Sequence, residues 1–349
     1  MKSYLSSKLY LFERLIKKKG DIITDANIPQ IKKIENIAIK KDINLSLIFN
    51  KKKGIELISH SYVREKQILK VLLGNKKFEI ALNLIGKIQI KNVLMAILAA
   101  NKSGLDIKKI FNVIHKLKPV EGRLEKIGSL KNNSKVILDY AHTPAALELA
   151  LINIKEQFPE SKISLVFGCG GERDFKKRSI MGKIADKYSD KIYLTDDNPR
   201  NENPQKIRNE IKKGIKNKNV QEIPKRREAI LKCVNDLCSG DIAIIAGKGH
   251  EKTQDCKGKK SFFSDRNEIL KSITKKNESL YNDLRLNIIQ EKTKFLPKNL
   301  NFNKACINSK EIKKNDIFFA IRGKKKDGNK FVNQAFKKKA SLAIVNKIS

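Results

Sequence analysis

Between residues 122 and 275 the chain alternates short apolar runs with stretches whose apolar residues have helical spacing. The apolar runs are rich in β-branched residues and read VILDY, ISLVFGC, KIYLTDD and DIAIIAG. The helical stretches are Pro144 to Phe158, Lys177 to Tyr188, Pro204 to Lys216 and Arg226 to Leu237. Continuously apolar strands that alternate with helices predict a parallel sheet covered on both faces. The predicted fold class is therefore α/β.

The flanking stretches have a different texture. Up to about residue 121, a helical opening from Tyr4 to Lys17 precedes short β-rich pieces with a hairpin turn at Gly74 and Asn75. A helix is predicted near Ile90 to Asn101. After residue 275, a polar linker at 276–298 leads into residues 299–349, whose pattern is that of the opening of another α/β module. The chain is thus predicted to contain three structured segments.

Composition fits a soluble globular protein: 349 residues, 40% apolar and 32% charged. No apolar run is long enough to span a bilayer and the N-terminus has no signal-peptide core, so we expect a cytoplasmic protein without membrane insertion. The five cysteines form no CxxC pair, which suits reduced thiols. The four histidines are widely separated and form no HExxH, so the sequence contains no recognisable zinc motif.

A net charge of +38 raises the question of nucleic-acid binding. The excess is mostly lysine and is spread over every segment, and isoleucine and asparagine are abundant with it, which indicates a genome-wide composition bias. Aromatic residues make up only 6% and tryptophan is absent, so platforms for stacking bases are scarce. We therefore expect no nucleic-acid partner.

Polar, charged or glycine-rich loops follow the four predicted strands. They read DYAHTP, GCGGERD, DDNPR and AGKGHE. In open parallel sheets, ligands bind at the carboxyl ends of the strands, so these loops are predicted to meet at one site. Taken singly, each is explained as well by a turn, a helix cap or a solvated helix start. Four such loops in one sheet favour a binding site.

These loops, in this order and followed by FSDR, resemble the C-terminal domain of Mur ligases, and in particular the branch that adds the third amino acid of the peptidoglycan stem. The resemblance covers about residues 1–275. It implies a partial central, ATP-binding domain at 1–121 and a Rossmann-like C-terminal domain with a parallel sheet at 122–275. It also implies cytoplasmic synthesis of a peptidoglycan precursor: ATP phosphorylates a carboxylate of the UDP-N-acetylmuramoyl-dipeptide, and an amino acid attacks the acyl phosphate.

The resemblance assigns ATP and Mg²⁺ as cofactors. Tyr4 and Lys8 match a family pair whose lysine is carbamylated and helps to bind magnesium, although an ordinary amphipathic helix with an exposed lysine also explains them. On the ATP side, the matching residues are Asn92, Arg123, Asp139 and His142. Gln89 stands where the family has a first asparagine. Lys8 and His142 are the implied catalytic residues.

The resemblance also places an amino-acid site on these loops. Its residues are Arg173, Asp197, Asn198, Arg200, Gly247 and Glu251. The DNPR form accompanies meso-diaminopimelate in the family, and the chemistry agrees, because an arginine fork can hold the extra carboxylate of that amino acid in bidentate fashion. Glu251 and Asn198 are then expected to take its ammonium group.

Residues 299–349 resemble the N-terminal UDP-substrate module of a Mur ligase of the next pathway step, with Ser309 and Lys310 where the family has a serine–arginine pair. The family's phosphate loop, its UDP-binding domain and its central-domain metal ligands have no counterpart in this sequence. We therefore expect an interior piece, the tail of one ligase and the head of another, that is inactive alone and has the absent N-terminal part as a candidate partner.

Two other functions compete with this interpretation. The glycine-rich turn after ISLVF is compatible with a dinucleotide-binding oxidoreductase, although GxGxxG and its acidic partner are absent. A non-catalytic protein that binds amino acids or nucleotides would need the same loops without the phosphate machinery. Ligand titrations separate these alternatives.

Overall fold

The computed structural model describes residues 2–216, 219–282, 303–321 and 327–345. Within them the chain forms two compact units, Met1–Gly128 with Ser134–Ile269, and Ser129–Asn133 with Leu270–Ser349. No helix of the described residues has the length and apolarity needed to cross a membrane.

The first half of unit one is built on a five-stranded sheet. In chain order its elements are α1 (Lys2–Tyr10), a π-helix (Leu11–Leu15), β1 (Asp21–Asp25), α2 (Ile31–Lys41), β2 (Asn44–Ile48), β3 (Gly54–Val63), β4 (Lys66–Leu73), β5 (Lys76–Leu82), α3 (Ile88–Lys102), α4 (Ile107–Val113) and a 3-10 turn (Ile114–Lys116). The strand order is β1-β2-β3-β4-β5, parallel up to β3 and antiparallel beyond it. Leu73 pairs with Lys76, which confirms the predicted hairpin.

The second half of unit one holds the predicted parallel sheet. Its elements are β6 (Glu125–Ser129), β7 (Lys135–Asp139), α5 (Pro144–Gln157), β8 (Ile163–Phe167), α6 (Lys176–Tyr188), β9 (Lys191–Leu194), α7 (Pro204–Lys212), β10 (Val220–Glu222), α8 (Arg226–Asp236), β11 (Ile242–Ala246), β12 (Thr253–Cys256), β13 (Lys259–Phe262) and α9 (Asp265–Asn282). Ser129 of β6 and the part of α9 from Leu270 onward belong to unit two. The order β10-β9-β8-β11-β7-β6 places β11 between β7 and β8. All pairings from β10 to β7 are parallel, as predicted.

Both faces of this sheet are covered, because alternate residues of each strand are buried on opposite sides. Ile137, Leu165 and Ile244 belong to one apolar cluster that includes the inner sides of α5, α6 and α7. Their strand neighbours Val166 and Ile245 are equally buried, and α8 packs on β8, β9 and β11. The sheet is therefore the rigid platform on which the strand-end loops are mounted.

The two halves of unit one are joined by buried hydrogen bonds at the start of α3. The backbone N–H of Gly86 donates to Oε1 of Gln157 at 3.0 Å, and that of Lys87 donates to Oδ1 of Asn153 at 2.5 Å. The side-chain amide of Gln157 also donates to the carbonyl of Glu65 at 2.8 Å. Because Asn153 and Gln157 both lie on α5, these bonds fix the first turn of α3 against the second half.

The described part of unit two includes a small parallel sheet, with β14 (Ala305–Cys306), β15 (Ile317–Ala320), a 3-10 turn (Gly328–Phe331), α10 (Val332–Lys337) and β16 (Leu342–Val345). This agrees with the α/β pattern expected there. Residues 322–326, in the IRGKKK stretch, and residues 283–302, which contain most of the predicted linker, lie outside the described residues. Helix α9 reaches Asn282, so the first residues predicted as linker, from 276, are helical.

Candidate active site

The predicted strand-end loops meet in one cleft of about 520 Å³. Because β7, β8, β9 and β11 run parallel, their carboxyl ends lie at the same edge of the sheet. The cleft is lined by Tyr140, His142, Thr143, Pro144, Gly168, Cys169, Gly170, Arg173, Asp174, Lys177, Asp197, Asn198, Arg200, Gly247 and Glu251. All six residues predicted for the amino-acid site are among them, and so is His142.

The DNPR loop is held in place by the hairpin of β12 and β13. Its backbone leaves β9 at Leu194 and returns to pair with the hairpin, where the N–H of Arg200 donates to the carbonyl of Asp255 at 3.1 Å. The N–H of Lys257 donates to the carbonyl of Arg200 at 2.7 Å, and the side chain of Gln254 donates to the carbonyl of Asp197 at 2.6 Å. These bonds hold Arg200 at φ 51°, a left-handed conformation that is uncommon for a residue with a side chain.

The glycine-rich loop after β8 packs against the DNPR loop. The N–H of Gly171 donates to the carbonyl of Asn198 at 2.9 Å. A Cβ at Gly171 would lie 2.0 Å from the carbonyl oxygen of Pro199, so only glycine fits there. At Gly171 the close partner is the neighbouring loop.

One nitrogen of the Arg200 guanidinium, Nη1, is held by backbone carbonyls. Its Nη1 donates to the carbonyl of Gly171 at 2.6 Å and approaches the carbonyl of Asn198 at 3.5 Å. Within the described chain, Nη2 and Nε of this side chain make no hydrogen bond, and Arg200 lines the cleft. The edge that could hold a carboxylate is therefore available.

Asn198 and Glu251 form a hydrogen-bonded pair in the cleft, with Nδ2 of Asn198 donating to Oε2 of Glu251 at 3.1 Å. Behind them lies Lys248, which has no solvent exposure. Its Nζ donates to Oδ1 of Asn198 at 2.9 Å and to Oε2 of Glu251 at 3.2 Å. Sequence reasoning missed Lys248. The only signal was its position directly after a buried strand, between two glycines, in AGKGHE.

Asp197 is buried beneath the same loop, with 8% of its surface exposed. Burial raises the pKa of its carboxyl above the ordinary value, and the nearby charges of Arg226 and Lys248 offset part of that rise. One oxygen lies 2.8 Å from where a Cβ of Gly247 would be, and Gly247 has φ 116°. Gly247 thus accommodates both a tight turn after β11 and the carboxylate beside it.

Three of the four basic residues between positions 173 and 178 show different environments. Arg173 is exposed and lines the cleft. Lys177 also lines it, and its Nζ donates to the carbonyl of His142 at 2.7 Å. Arg178 is buried, and its fork is held by Glu202 and Glu210 at 2.7–2.9 Å. Its guanidinium is engaged in a structural ion-pair cluster, so Arg178 is not available to hold a ligand.

A second pocket of about 370 Å³ brings together three of the four residues predicted for the ATP side, Asn92, Arg123 and Asp139, whereas His142 lines the first cleft. The second pocket is lined by Ile88, Gln89, Asn92, Val120, Arg123, Leu124, Asp139, Ala146, Leu149 and Ala150. Asn92 donates to Oε1 of Gln89 at 3.2 Å, so two amide side chains face this pocket together. Gln89, which departs from the family's asparagine, occupies the same wall as Asn92.

Asp139 lines this pocket, but its oxygens bind the backbone. Oδ2 accepts from the N–H of Leu124 at 2.7 Å and Oδ1 from that of Ala141 at 2.8 Å. Burial raises the pKa of the Asp139 carboxyl, and these hydrogen bonds with the charge of Arg123 lower it in part. The carboxylate therefore anchors the segment that enters the second half of unit one.

Tyr140 lies between the two pockets, and sequence reasoning did not select it. The Arg123 guanidinium carbon is 4.6 Å from the centre of its ring, and the rings of His142 and His250 are 4.6 and 5.2 Å away. One ring nitrogen of His142, Nδ1, lies 2.9 Å from the Tyr140 carbonyl and can donate to it. The other ring nitrogen, Nε2, is then the acceptor.

Lys8 lies apart from both pockets. Its Nζ is 5.4 Å from the ring centre of Tyr4, and both residues border a groove between α1, β1 and α2. Among the described residues, no group of three or more His, Cys, Asp or Glu side chains is arranged to hold a metal ion. The described residues therefore do not form a complete magnesium site.

Residues 122–249 match the protein-family model described as "Mur ligase, glutamate ligase domain". The chain is 37% identical over 272 residues to the UDP-N-acetylmuramoyl-L-alanyl-D-glutamate–2,6-diaminopimelate ligase of Rickettsia montanensis, covering 78% of this chain and 56% of that protein. The corresponding ligase of Chelativorans sp. (strain BNC1) is 36% identical over 270 residues, covering 77% and 55%. The chain thus spans about half the length of these relatives.

The chain is also similar to solved structures of Mur ligases. A structure named as a UDP-N-acetylmuramoyl-L-alanyl-D-glutamate–2,6-diaminopimelate ligase superposes with TM-score 0.58 at 28% identity, covering 78% of this chain and 56% of that one. MurF ligase from Thermotoga maritima, in complex with ADP, superposes with TM-score 0.57 at 15% identity, covering 80% and 58%. The second likeness is one of fold alone.

Proposed function

Because residues 122–249 form a Mur ligase C-terminal domain, we propose that this chain supplies the amino-acid site of a ligase that adds meso-diaminopimelate to UDP-N-acetylmuramoyl-L-alanyl-D-glutamate with ATP. The observation that carries the proposal is the cleft at the carboxyl end of the parallel sheet, where Arg200 and Glu251 present opposite charges beside the neutral amide of Asn198. A zwitterionic amino-acid end needs such a pair of opposite charges.

The available hydrogen-bonding groups assign the two ends of the ligand. Arg200 has free guanidinium N–H groups, and Asn198 has a second Nδ2 hydrogen, so both donate and suit a carboxylate. Oδ1 of Asn198 already accepts from Lys248 and from the backbone of Asp255, which leaves Glu251 to take the ammonium group. This differs from the expectation from sequence, in which Asn198 shared the ammonium.

The chemistry proposed for the assembled ligase is attack by the amine of the amino acid on an acyl phosphate. The amine nitrogen forms a bond to the carbonyl carbon of the acyl phosphate, and the bond from that carbon to the bridging oxygen breaks. Inorganic phosphate leaves with the bridging oxygen, and the nitrogen loses a proton. By binding the zwitterionic end of diaminopimelate, the cleft would fix the distance between the reacting amine at the other end and the acyl phosphate. Such positioning lowers the activation barrier. His142, which lines the same cleft and whose Nε2 is an acceptor when Nδ1 donates to the Tyr140 carbonyl, is the candidate to take up the proton that the amine loses.

ATP and Mg²⁺ are proposed cofactors of that ligase. Asn92, Gln89 and Arg123 would hold the nucleotide, with two amides for a base edge and a cation for phosphate. ATP would supply the phosphoryl group that activates the carboxylate. The sequence contains no GxxxxGK[ST] motif. We propose that Lys8 is carbamylated in that ligase. We expect this chain alone to form no ligation product.

We also propose the division 1–121, 122–275, 276–298 and 299–349 for central domain, C-terminal domain, linker and the start of a second UDP-substrate module. Its support in the last segment is a strand–helix–strand pattern. There the buried Ser309 hydroxyl donates to Oε1 of Gln334 at 2.8 Å. Titration of the full chain with a UDP-N-acetylmuramoyl peptide tests this assignment: no binding of any such peptide would remove it.

Calorimetric titration of the chain with meso-diaminopimelate and with L-lysine tests the amino-acid site. We expect binding of meso-diaminopimelate and at least about tenfold weaker binding of lysine, because lysine leaves Arg200 unpaired. Arg200→Ala should abolish the preference. Arg227→Ala, which removes a largely exposed arginine of α8, is the matched control. Equal binding by Arg200→Ala and the control would overturn the assignment.

The competing functions predict different results when the chain is titrated with ligands. A dinucleotide-binding oxidoreductase would change NADH fluorescence on binding, but Gly171 of the glycine-rich loop packs against the carbonyl of Pro199, so at this position the glycine serves the packing of two loops. A non-catalytic binding protein would bind amino acid but would yield no ligation product when mixed with the rest of a ligase. Product formation in such a mixture, with none from the chain alone, is the result expected here.

A further inference from the structure

Lys248 is a lysine without solvent exposure, in a position where an unpaired charge would be costly. Its Nζ lies 2.9 Å from Oδ1 of Asn198, 3.2 Å from Oε2 of Glu251 and 4.0 Å from Oδ1 of Asp197. The lysine is therefore surrounded by three oxygen-bearing side chains of the proposed amino-acid site. It does not itself line the cleft.

A lysine ammonium only donates hydrogen bonds, so the Asn198 atom that faces it must be the amide oxygen. The backbone N–H of Asp255 donates to the same oxygen at 3.1 Å and imposes the same orientation. Two donors thus fix the amide, and its Nδ2 group is turned toward Oε2 of Glu251 at 3.1 Å. Reversing the amide would place its N–H group against two donors.

Glu251 is oriented by the same contact. Its Oε2 accepts from both Lys248 and Asn198, whereas Oε1 accepts no hydrogen bond within the described chain. The carboxylate therefore keeps one oxygen available on the side of the cleft that it lines. The buried cation thus orients Glu251 and, together with the Asp255 N–H, Asn198, and so determines which of their atoms remain available to a ligand.

We infer that Lys248 is a positioning residue of the amino-acid site: it fixes Asn198 as a donor to the carboxylate, and Glu251 as an acceptor from the ammonium, of the ligand's zwitterionic end. The inference rests on the proposed function for the identity of the ligand. The orientation of the two side chains does not depend on that identity.

Selectivity follows from this arrangement. L-Lysine has an ammonium but no carboxylate at the end that enters the cleft, so it leaves the fixed donors of Asn198 and Arg200 unpaired. Without Lys248, the Asn198 amide loses one of its two fixed donors and can turn its oxygen toward an ammonium. Loss of Lys248 is therefore expected to weaken meso-diaminopimelate binding more than lysine binding.

The test compares Lys248→Met with Lys252→Met in the full chain. Lys252 is an exposed lysine of the same loop, so the control removes the same charge without the contact. The first measurement needs no ligand: the side-chain amide signal of Asn198 in asparagine-labelled protein, assigned by its loss in Asn198→Asp. We expect this signal to shift in Lys248→Met and to stay in place in Lys252→Met.

The second measurement is calorimetry with meso-diaminopimelate and L-lysine. We expect Lys248→Met to bind meso-diaminopimelate at least about tenfold more weakly, with the preference over lysine reduced, and Lys252→Met to stay within about twofold of the parent. An unmoved Asn198 signal, or an unchanged preference in folded Lys248→Met, overturns the inference. If the parent binds no diaminopimelate but the Asn198 signal shifts, the proposed function fails and the positioning role stands.

Lys248→Met leaves two carboxylates without their cation, so its fold is checked by circular dichroism and thermal unfolding. If it does not fold, Lys248→Met/Glu251→Gln takes its place, because that variant removes the cation together with one carboxylate. Its reference is then Glu251→Gln alone. A further shift of the Asn198 signal on adding Lys248→Met supports the inference, and identical signals in the two variants overturn it.

Discussion

Arg226 and Asp265 form a two-pronged ion pair with no solvent exposure of either side chain. Nε of Arg226 donates to Oδ1 of Asp265, and Nη2 donates to Oδ2, both at 2.7 Å. The same Nη2 donates to the carbonyl of Ala246 at 2.9 Å, the last residue of β11. The pair therefore ties the first residues of α8 and α9 to the strand end that carries the AGKGHE loop.

Breaking this pair should be strongly destabilising. Arg226→Met or Asp265→Asn leaves one buried charge or polar group without its partner, so we expect the free energy of unfolding to fall by about 3–5 kcal/mol. Arg227→Met removes a 65% exposed arginine paired with Glu268 and should cost less than about 1 kcal/mol. Urea unfolding measures both. The double variant Arg226→Met/Asp265→Leu should be milder than either single change, and a greater loss would contradict this account.

Alanine at Gly171 and at Gly170 should act differently. At Gly171 the new Cβ meets the Pro199 carbonyl at 2.0 Å, so the DNPR loop must move, and we expect losses of both thermal stability and meso-diaminopimelate affinity. At Gly170 the nearest atom is Nη1 of Arg200, at 2.9 Å, the end of a flexible side chain. Gly170→Ala should therefore lower affinity while leaving the unfolding temperature close to that of the parent. Equal unfolding temperatures for the two variants would contradict the packing argument.

The strands and the site's location were predictable because both depend on local patterns. Continuous apolar runs identified β7, β8, β9 and β11, and the rule for parallel sheets then brought their loops together. Side-chain partners were not predictable, because they come from distant parts of the sequence. Arg173, Lys177 and Arg178 are basic residues within six positions of the sequence, yet only Arg178 forms ion pairs with Glu202 and Glu210.

Lys248 is a site residue that the sequence did not reveal, again because its partners are distant in the sequence. In a chain rich in lysine, one more lysine in a glycine-rich turn carries no visible signal. Its burial depends on Asn198, 50 residues earlier in the chain, whose amide oxygen it meets. Asp139 was predicted on the ATP side and does line that pocket, but its two oxygens bind backbone N–H groups. Composition and spacing do not reveal whether a carboxylate is free or already used.

Acid should remove part of the stability through Asp236. Burial alone would raise the pKa of this carboxyl, but hydrogen bonds from Lys191, Lys232 and Tyr193 outweigh burial and hold the pKa at about 2. Because the unfolded value is about 3.9, the contribution is fully present above that pH and is lost as the pH falls toward about 2. Denaturant unfolding at pH 6, 4 and 3 should show a smaller decline for Asp236→Asn.

The control for that decline is Glu228→Gln, which removes a carboxylate of the same helix that is 56% exposed. It should decline with acid as the parent does. A parent-like decline in Asp236→Asn as well would show that other carboxylates dominate the acid response. At pH 6 the free energy of unfolding of Asp236→Asn should already be lower than that of the parent by about 1–3 kcal/mol, because three donors lose their charged acceptor.

The pocket shared by Asn92 and Arg123 should bind an adenine nucleotide weakly in this chain. Arg123 lies over the ring of Tyr140 and is exposed at the pocket, so its charge can reach phosphate oxygens. Titration with a fluorescent ADP analogue should show that Arg123→Met weakens binding by about 10- to 100-fold, the loss expected for a charge-assisted hydrogen bond. Asn92→Ala should weaken it less, and Asn101→Ala, on the same helix but outside the pocket, should leave it unchanged. Equal affinity in Arg123→Met and Asn101→Ala would place the nucleotide elsewhere.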